Sequence, residues 1–409
     1  MVHAATYQEL IVEIFEFSNL FRKISRSEFL ERYHDKAFYH EPGAIEDLSS
    51  VFSWDGVNDL FNRPKLWNAE TMELAINGQV LAPTLYCRPA MGRLGDRILR
   101  PDREKVNHFL RKGATLVLDY LEGIHPGVRK VTNCIERLTG TATSANAYCS
   151  WQSVQGYSSH FDTMCVFAIQ IEGEKAWNIY NGRVNEPMAI PGARPSDFSR
   201  EQHDKQKGSV ARKVVMRPGD VLYLPRGLYH DAIATETASL HLSFGATYLA
   251  GFSAVSLLIH ELQREEFFRR RLPHFDDGEA LSGFLREVGE QVAARMADGG
   301  FHRRVATHML DNLSDKMADH RLPARNADQC FLVTRREPRL VRRGQDWRLE
   351  LGDAQITLAA ALAPMVRHVL SRELVWISEL LSLTKRPEAE VVDLLREMER
   401  HALIWPIAA

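Results

Sequence analysis

The stretch Gly156-Tyr157-Ser158-Ser159-His160-Phe161-Asp162 sets a histidine and an aspartate two positions apart. On an extended chain residues i and i+2 leave the same face, so a strand here would present an imidazole beside a carboxylate. Such a pair can hold two neighbouring positions of an octahedral ion. The third ligand must come from elsewhere, and His230 is the best candidate. It follows two bends, Pro218-Gly219-Asp220 and Pro225-Arg226-Gly227, which bracket the apolar run Val221-Leu222-Tyr223-Leu224 and can aim the imidazole inward. Two histidines and one carboxylate leave three coordination positions open, as in non-heme Fe(II) sites, where a keto acid can fill two and dioxygen the third.

Around this motif the chain reads as β-structure. Short runs rich in β-formers (145–151, 164–172, 175–180, 221–224 and 239–244) alternate with Gly, Pro and Asn turns, a spacing that predicts an antiparallel barrel or jelly roll. The polar, Pro-containing segment 181–212 reads as a long surface excursion between strands. Lys175 starts a strand behind the turn Glu172-Gly173-Glu174. An inward lysine near a metal is costly to bury without a carboxylate partner; the alternative is a surface lysine in a hairpin.

Outside this region helical periods dominate. Residues 1–63 carry helix signals, with Ser27 expected as an N-cap before Phe29, Leu30 and Tyr33. Strand-like pieces flank Asn77-Gly78, and 103–140 returns to a helical period that Gly140 should end. Beyond Gly251 helices are expected over 253–270, 279–297 and 302–316. From about Arg325 short strands (331–334, 340–342, 347–351) precede helices near 358–371, 375–381 and 387–401, and a final strand at 403–405, a pattern that resembles a winged helix.

Composition narrows the function classes. The 409 residues are 45% hydrophobic and 25% charged, the balance of a folded globular protein of two or three domains. A net charge of -2 gives no global pull towards nucleic acid or an anionic membrane. The N-terminal stretch lacks the basic and apolar regions of a signal peptide, and the most apolar stretch, 248–262, is broken by Ser253, Ser256 and His260, so it reads as a buried amphipathic helix. A cytoplasmic location is the default expectation. The five cysteines are odd in number and never spaced as CxxC, so they read as small buried hydrophobes.

Seven linked motifs between Gly140 and Gly245 resemble the JmjC cupin hydroxylases typified by the ribosomal oxygenases. They are Asn146-x-Tyr148, Gln155-Gly156, His160-Phe161-Asp162, Gln170-Ile171-Glu172-Gly173-x-Lys175-x-Trp177, Pro218-Gly219-Asp220, Pro225-Arg226-Gly227-x-x-His230 and Ser239-Leu240-His241-Leu242. The resemblance implies an α+β chain with a double-stranded β-helix (cupin, jelly-roll) JmjC domain and N-terminal helices over 1–250. A helical dimerisation domain over 251–324 and a winged-helix domain over 325–409 would follow. It implies Fe(II) held by His160, Asp162 and His230, 2-oxoglutarate as cosubstrate with its C5 carboxylate on Lys175, and O2. Asn146 and Tyr148 match positions lining the cosubstrate pocket, although a polar pair satisfying barrel backbone is the alternative; Ser243 adds a hydroxyl to the same carboxylate. Where family members carry Pro-rich sequence ahead of the metal motif, this chain has Cys149-Ser150-Trp151-Gln152-Ser153-Val154, expected to border the substrate entrance, so the substrate is not inherited.

The leading expectation is therefore hydroxylation of an amino-acid side chain, at the β-carbon, in a ribosomal protein or a biosynthetic precursor peptide, by a homodimer. An N-methyl-lysine demethylase would use the same chemistry. A non-catalytic regulator would use the cupin as a sensor and the cluster Arg335, Arg336, Arg339, Arg342 and Arg343 on DNA, although a solvated face explains that cluster better.

Overall fold

Along Ala142–Ser150 every second side chain is buried, the period-two signature of a strand with one face on a core. This strand lies within an eight-stranded antiparallel sheet. The structure, a computed structural model, describes residues 15–317 and 329–407, apart from 152, 193, 236–237, 335–337, 345, 352–353 and 385. The described residues fall into two compact units, divided near residue 318.

In the first unit the strands are β1 (Tyr39–Glu41), β2 (Met72–Ile76), β3 (Gln79–Val80), β4 (Cys87–Met91), β5 (Arg97–Pro101), β6 (Thr115–Leu118) and β7 (Ala142–Ser150). They continue as β8 (Cys165–Glu172), β9 (Lys175–Arg183), β10 (Val210–Met216), β11 (Val221–Leu224), β12 (Leu228–Ala234) and β13 (Ser239–Thr247). The large sheet runs β1-β11-β8-β13-β7-β6-β2-β3 and a second sheet runs β10-β9-β12. Val166 and Ala168 of β8 and Leu222 and Leu224 of β11 meet Trp177, Ile179, Val214 and Met216 of the second sheet in one buried cluster. The two sheets therefore close face to face, the jelly-roll expected above. The outer face of the large sheet is covered by an aromatic and aliphatic core that includes Phe21, Phe29, Val131 and Ile135, supplied by the N-terminal segment and the helix Pro126–Thr139. That helix ends, as expected, at Gly140 with φ +69.

Several boundaries differ from expectation for identifiable reasons. The helix Arg26–Arg32 is capped by Ser25, whose hydroxyl accepts from the Glu28 amide, so the cap lies two residues before Ser27. Thr115–Leu118 is a fully buried strand inside the stretch read as helical; an apolar run that short carries no period to tell the two apart. The excursion after β9 is partly ordered, with a helix at Arg200–Gln206 capped by Ser199. The helix Gly251–Leu262 buries only Leu258 and Leu262 and exposes Phe252, Val255 and Ile259, so the amphipathic helix expected is present but covered on less of its surface. Helices Gly278–Ala297 and Gly299–Met317 follow, and all three group with the first unit. The N-terminal helix signal before residue 15 lies outside the described residues. All five cysteines are buried.

The second unit has one three-stranded sheet of Leu374–Trp376, Cys330–Val333 and Ile404–Ile407, with Cys330–Val333 central, and a meander of Arg339–Arg343, Asp346–Leu351 and Ala354–Leu358. Helices Ala363–Leu370, Ile377–Ser382 and Glu388–Arg400 complete a core containing Met365, Val369, Val391 and Met398. Arg335 and Arg336 of the basic cluster lie outside the described residues.

Gly227 shows how turn chemistry aims the motif. Its φ is +79, and a Cβ there would collide with the Val184 carbonyl oxygen, while its amide donates to the Asp162 carbonyl at 2.8 Å. Left-handed backbone costs a residue with a Cβ roughly 1–2 kcal/mol before any clash. Gly227→Ala is therefore expected to lower stability by about 2 kcal/mol or more in chemical denaturation, and a wild-type midpoint would refute this account of the turn.

Candidate active site

His160, Asp162 and His230 converge, with one ligand atom from each lying within 4.8 Å of the others. The expected strand at the His-x-Asp motif is instead a loop between β7 and β8 that touches β12 through a single bridge. The His160 amide donates to the His230 carbonyl at 3.0 Å and the His230 amide returns a bond to the His160 carbonyl at 2.9 Å. The alternation survives because the bridge keeps the chain extended: Phe161, between the ligands, points away into a cluster with Tyr180 and Tyr229.

Each imidazole is oriented from behind. His160 Nδ1 lies 2.8 Å from the Ser158 carbonyl and His230 Nδ1 lies 3.0 Å from the Leu228 carbonyl. A carbonyl only accepts, so Nδ1 carries the proton and Nε2 keeps its lone pair. The Nε2 atoms face the Asp162 carboxylate at 3.9 Å and 3.4 Å. Burial, with His160 close by, holds His230 below the usual imidazole range, which favours the neutral, ligating form. Neutral nitrogen and carboxylate oxygen donors on one side, with a cavity on the other, fit a hard-to-borderline divalent ion with open positions.

That cavity has a volume of about 380 Å³. Lys175, Asn146, Tyr148 and Ser243 all line it. The register of β13 against β7 pairs Ser243 with Asn146 and His241 with Tyr148, placing these side chains on one inner wall. Lys175 is only 4% exposed. Its Nζ lies 3.0 Å from Ser150 Oγ, 3.4 Å from His241 Nδ1 and 5.9 Å from the Tyr148 ring centroid, and no carboxylate of the described residues pairs with it. Burial lowers its pKa to about 7. His241 is buried as well, stacks on Tyr148 at 4.8 Å, and is pushed well below its ordinary pKa by burial and by Lys175.

The hydroxyl that meets Lys175 is that of Ser150, which also lies 3.0 Å from Thr115 Oγ1. Ser150 was expected at the substrate entrance, yet it is buried in depth. Its position at the end of the period-two pattern of β7 is the only sequence signal that could have found it. Nor did the sequence indicate acidic groups in the cavity, yet Glu73 from β2 and Asp119 after β6 line it. Burial, then Glu73 and Glu122, raise Asp119 to about 7, and burial raises Glu73, which accepts the Tyr157 hydroxyl. Trp177 Nε1, also of the cavity lining, is buried without a hydrogen-bond partner among the described residues.

The fold and site define a cupin with a two-histidine, one-carboxylate metal centre. The JmjC domain family matches residues 125–251. The chain is 28% identical over 205 residues to ribosomal oxygenase 2 of Rattus norvegicus, covering 46% of this chain and 42% of that protein. It is 31% identical over 136 residues to the bifunctional lysine-specific demethylase and histidyl-hydroxylase NO66 of Aedes aegypti, covering 33% and 20%. Thus the chain spans less than half the length of these relatives. An X-ray structure of E. coli ycfD shares the fold with a TM-score of 0.50 at 14% identity, over 94% of this chain and 99% of that one. Residues 125–251 thus match the JmjC domain, and over about half of its length the chain is similar to ribosomal oxygenases.

Lys175 predicts how dicarboxylate binding depends on pH. Its pKa in the free protein is about 7, and an apposed carboxylate raises it, so above pH 7 binding must take up a proton. The affinity for a dicarboxylate such as succinate should then fall by up to about tenfold per pH unit above 7. Calorimetry at pH 8 in buffers of different ionisation enthalpy should report uptake of close to one proton; binding with no uptake would contradict the assignment.

Proposed function

We propose that this chain is an Fe(II)- and 2-oxoglutarate-dependent oxygenase that hydroxylates an amino-acid side chain, at the β-carbon, in a protein or peptide. The observation that carries this reading is the pairing, in one cavity, of the three-residue cluster with a buried ammonium that meets no carboxylate of the described residues. His160, Asp162 and His230 would hold the iron, and 2-oxoglutarate would place its distal carboxylate on Lys175. When bound, the iron supplies the redox chemistry in which 2-oxoglutarate, O2 and a C–H bond become succinate, CO2 and an alcohol.

The protein's own residues do the rest. Ser150 and Thr115 supply hydroxyls at the end of the cavity where the diacid would sit, and His241, held neutral, adds no second positive charge. Asn146, Tyr148 and Ser243 line the wall between. Apolar packing around Trp177 and Val166 limits water at the reacting carbon. Glu73 and Asp119 favour a cationic or proton-donating substrate side chain, since a buried carboxylate is most stable beside a positive charge.

N-methyl-lysine demethylation is the second reading, supported by the double activity in the name of the NO66 relative. An alkyl-ammonium would suit the same carboxylates. For the remainder of the chain, the exposed Phe252, Val255, Ile259 and Phe275 support a homodimer interface in the helical segment, and the small sheet with helices Ile377–Ser382 and Glu388–Arg400 supports a winged-helix reading. Among the described residues no helix is long and apolar enough to cross a membrane.

Anaerobic protein given Fe(II) and 2-oxoglutarate should develop a metal-to-ligand charge-transfer band, and absence of the band would leave the non-catalytic regulator. In mass spectra of candidate peptides hydroxylation adds one oxygen, whereas demethylation removes a methyl group. Lys175→Ala should raise the 2-oxoglutarate requirement by roughly a hundredfold, as expected for losing a buried charged hydrogen bond; an unchanged requirement would remove Lys175 from the role. Light scattering that reports a monomer alone would rule out the dimer.

A further inference from the structure

We infer that Asp35 is a positioning residue for the metal site: its carboxylate fixes the Pro225-Arg226-Gly227 bend and, through that bend, the aim of His230 and Asp162. The bend is the joint between β11 and β12. Its Gly227 amide donates to the Asp162 carbonyl at 2.8 Å, and the Leu228 carbonyl just beyond it faces His230 Nδ1 at 3.0 Å. Two of the three converging side chains thus take backbone support from one short turn. The inference rests on the metal-centre reading above and adds what holds that turn in place.

Asp35 does not line the cavity; it sits in the turn that follows the helix Arg26–Arg32. Arg226 of the bend donates to its carboxylate twice, through Nη2 at 2.9 Å and through Nε at 3.1 Å. Arg183, at the end of β9, donates to Asp35 Oδ1 and to the Asp35 carbonyl, each at 3.0 Å, and its Nε donates to the Arg226 carbonyl at 3.0 Å. One carboxylate therefore joins the guanidinium of the bend to that of the neighbouring strand. The Arg226 side chain is 13% exposed and its guanidinium lies 5.3 Å from the centroid of the Tyr248 ring, whose hydroxyl meets His34 Nε2 at 2.6 Å. Its other acidic partner, Glu186, is mostly exposed.

Charge makes this contact more than a strut between helix and barrel. A guanidinium held mostly out of water needs its counter-ion in place, and an exposed glutamate replaces a half-buried aspartate poorly. Without the Asp35 charge, Arg226 turns towards solvent, and the bend that carries it shifts beneath both ligands. The residue type also suits its turn, because the Asp35 backbone is left-handed at φ +51 and its amide donates to Tyr223 Oη at 2.7 Å. Aspartate and asparagine tolerate that backbone better than other residues with a Cβ. Asp35→Asn therefore keeps the turn and removes the charge alone.

The test titrates Co(II) into the metal-free full chain by calorimetry and records the visible d–d spectrum at saturation. Asp35→Asn should weaken Co(II) binding by roughly tenfold, the lower end of what lost support behind a metal ligand costs, and should shift the d–d bands. Arg226→Lys, which keeps the charge but not the paired donors, should do the same and serves as a second route should Asp35→Asn fold poorly. Ile135→Ala is the control: it empties a fully buried position on the helix Pro126–Thr139, away from the bend, and lowers stability without touching either ligand. It should bind Co(II) as wild type does, with unshifted bands. Wild-type affinity and bands in both Asp35→Asn and Arg226→Lys overturn the positioning role, as does an equal loss in Ile135→Ala. Wild type that binds no Co(II) instead overturns the metal-centre reading beneath it.

Discussion

The pair of backbone hydrogen bonds between His160 and His230 is the constraint on which the site depends. It ties a loop with no strand of its own to the second sheet, and so sets the separation of two imidazoles that lie 70 positions apart in the chain. Everything else at the metal end serves that bridge. The Ser158 and Leu228 carbonyls, each two residues before its histidine, take the Nδ1 protons. Gly227 holds the Asp162 backbone, and Phe161 anchors the loop in an aromatic cluster. A ligand set held in this way is preorganised, so an arriving ion spends little of its binding energy on ordering side chains.

At the other end, the electrostatics run in the opposite direction from ordinary burial. An ammonium with only hydroxyl, imidazole and aromatic neighbours loses its hydration without gaining a counter-ion. On the same cavity lining, Asp119 is held up by burial, Glu73 and Glu122, and Glu73 by burial. The cavity thus carries both an ammonium suited to an anion and carboxylates suited to a cation, with His160, Asp162 and His230 on the same lining.

Much of the metal end was legible in the chain because its causes are local. The i, i+2 spacing of His160 and Asp162, the Pro-Gly-Asp and Pro-Arg-Gly turns and the strand-starting Lys175 are short-range features whose backbone consequences follow from dihedral preferences. The β-runs of the jelly roll were legible for the same reason. Strand Val210–Met216 was less so, since four of its first five residues are exposed and it lacks an apolar run. The cap at Ser25 went to the wrong serine because two candidates lie two residues apart, and only helix geometry selects between them.

The amino-acid sequence by itself singled out the three side chains that converge, His160, Asp162 and His230, together with Lys175 and the glycines that turn the chain. Only the tertiary structure decided that Ser150 meets the lysine, that His241 stays neutral, and that Glu73, Asp119 and Tyr157 line the same cavity. The physical reason is register. Which residue of β7 faces Lys175, and which residues of β2 and β6 reach the same cavity, depend on how strands distant in sequence are paired. A slip of one residue would turn every one of those side chains to the opposite face.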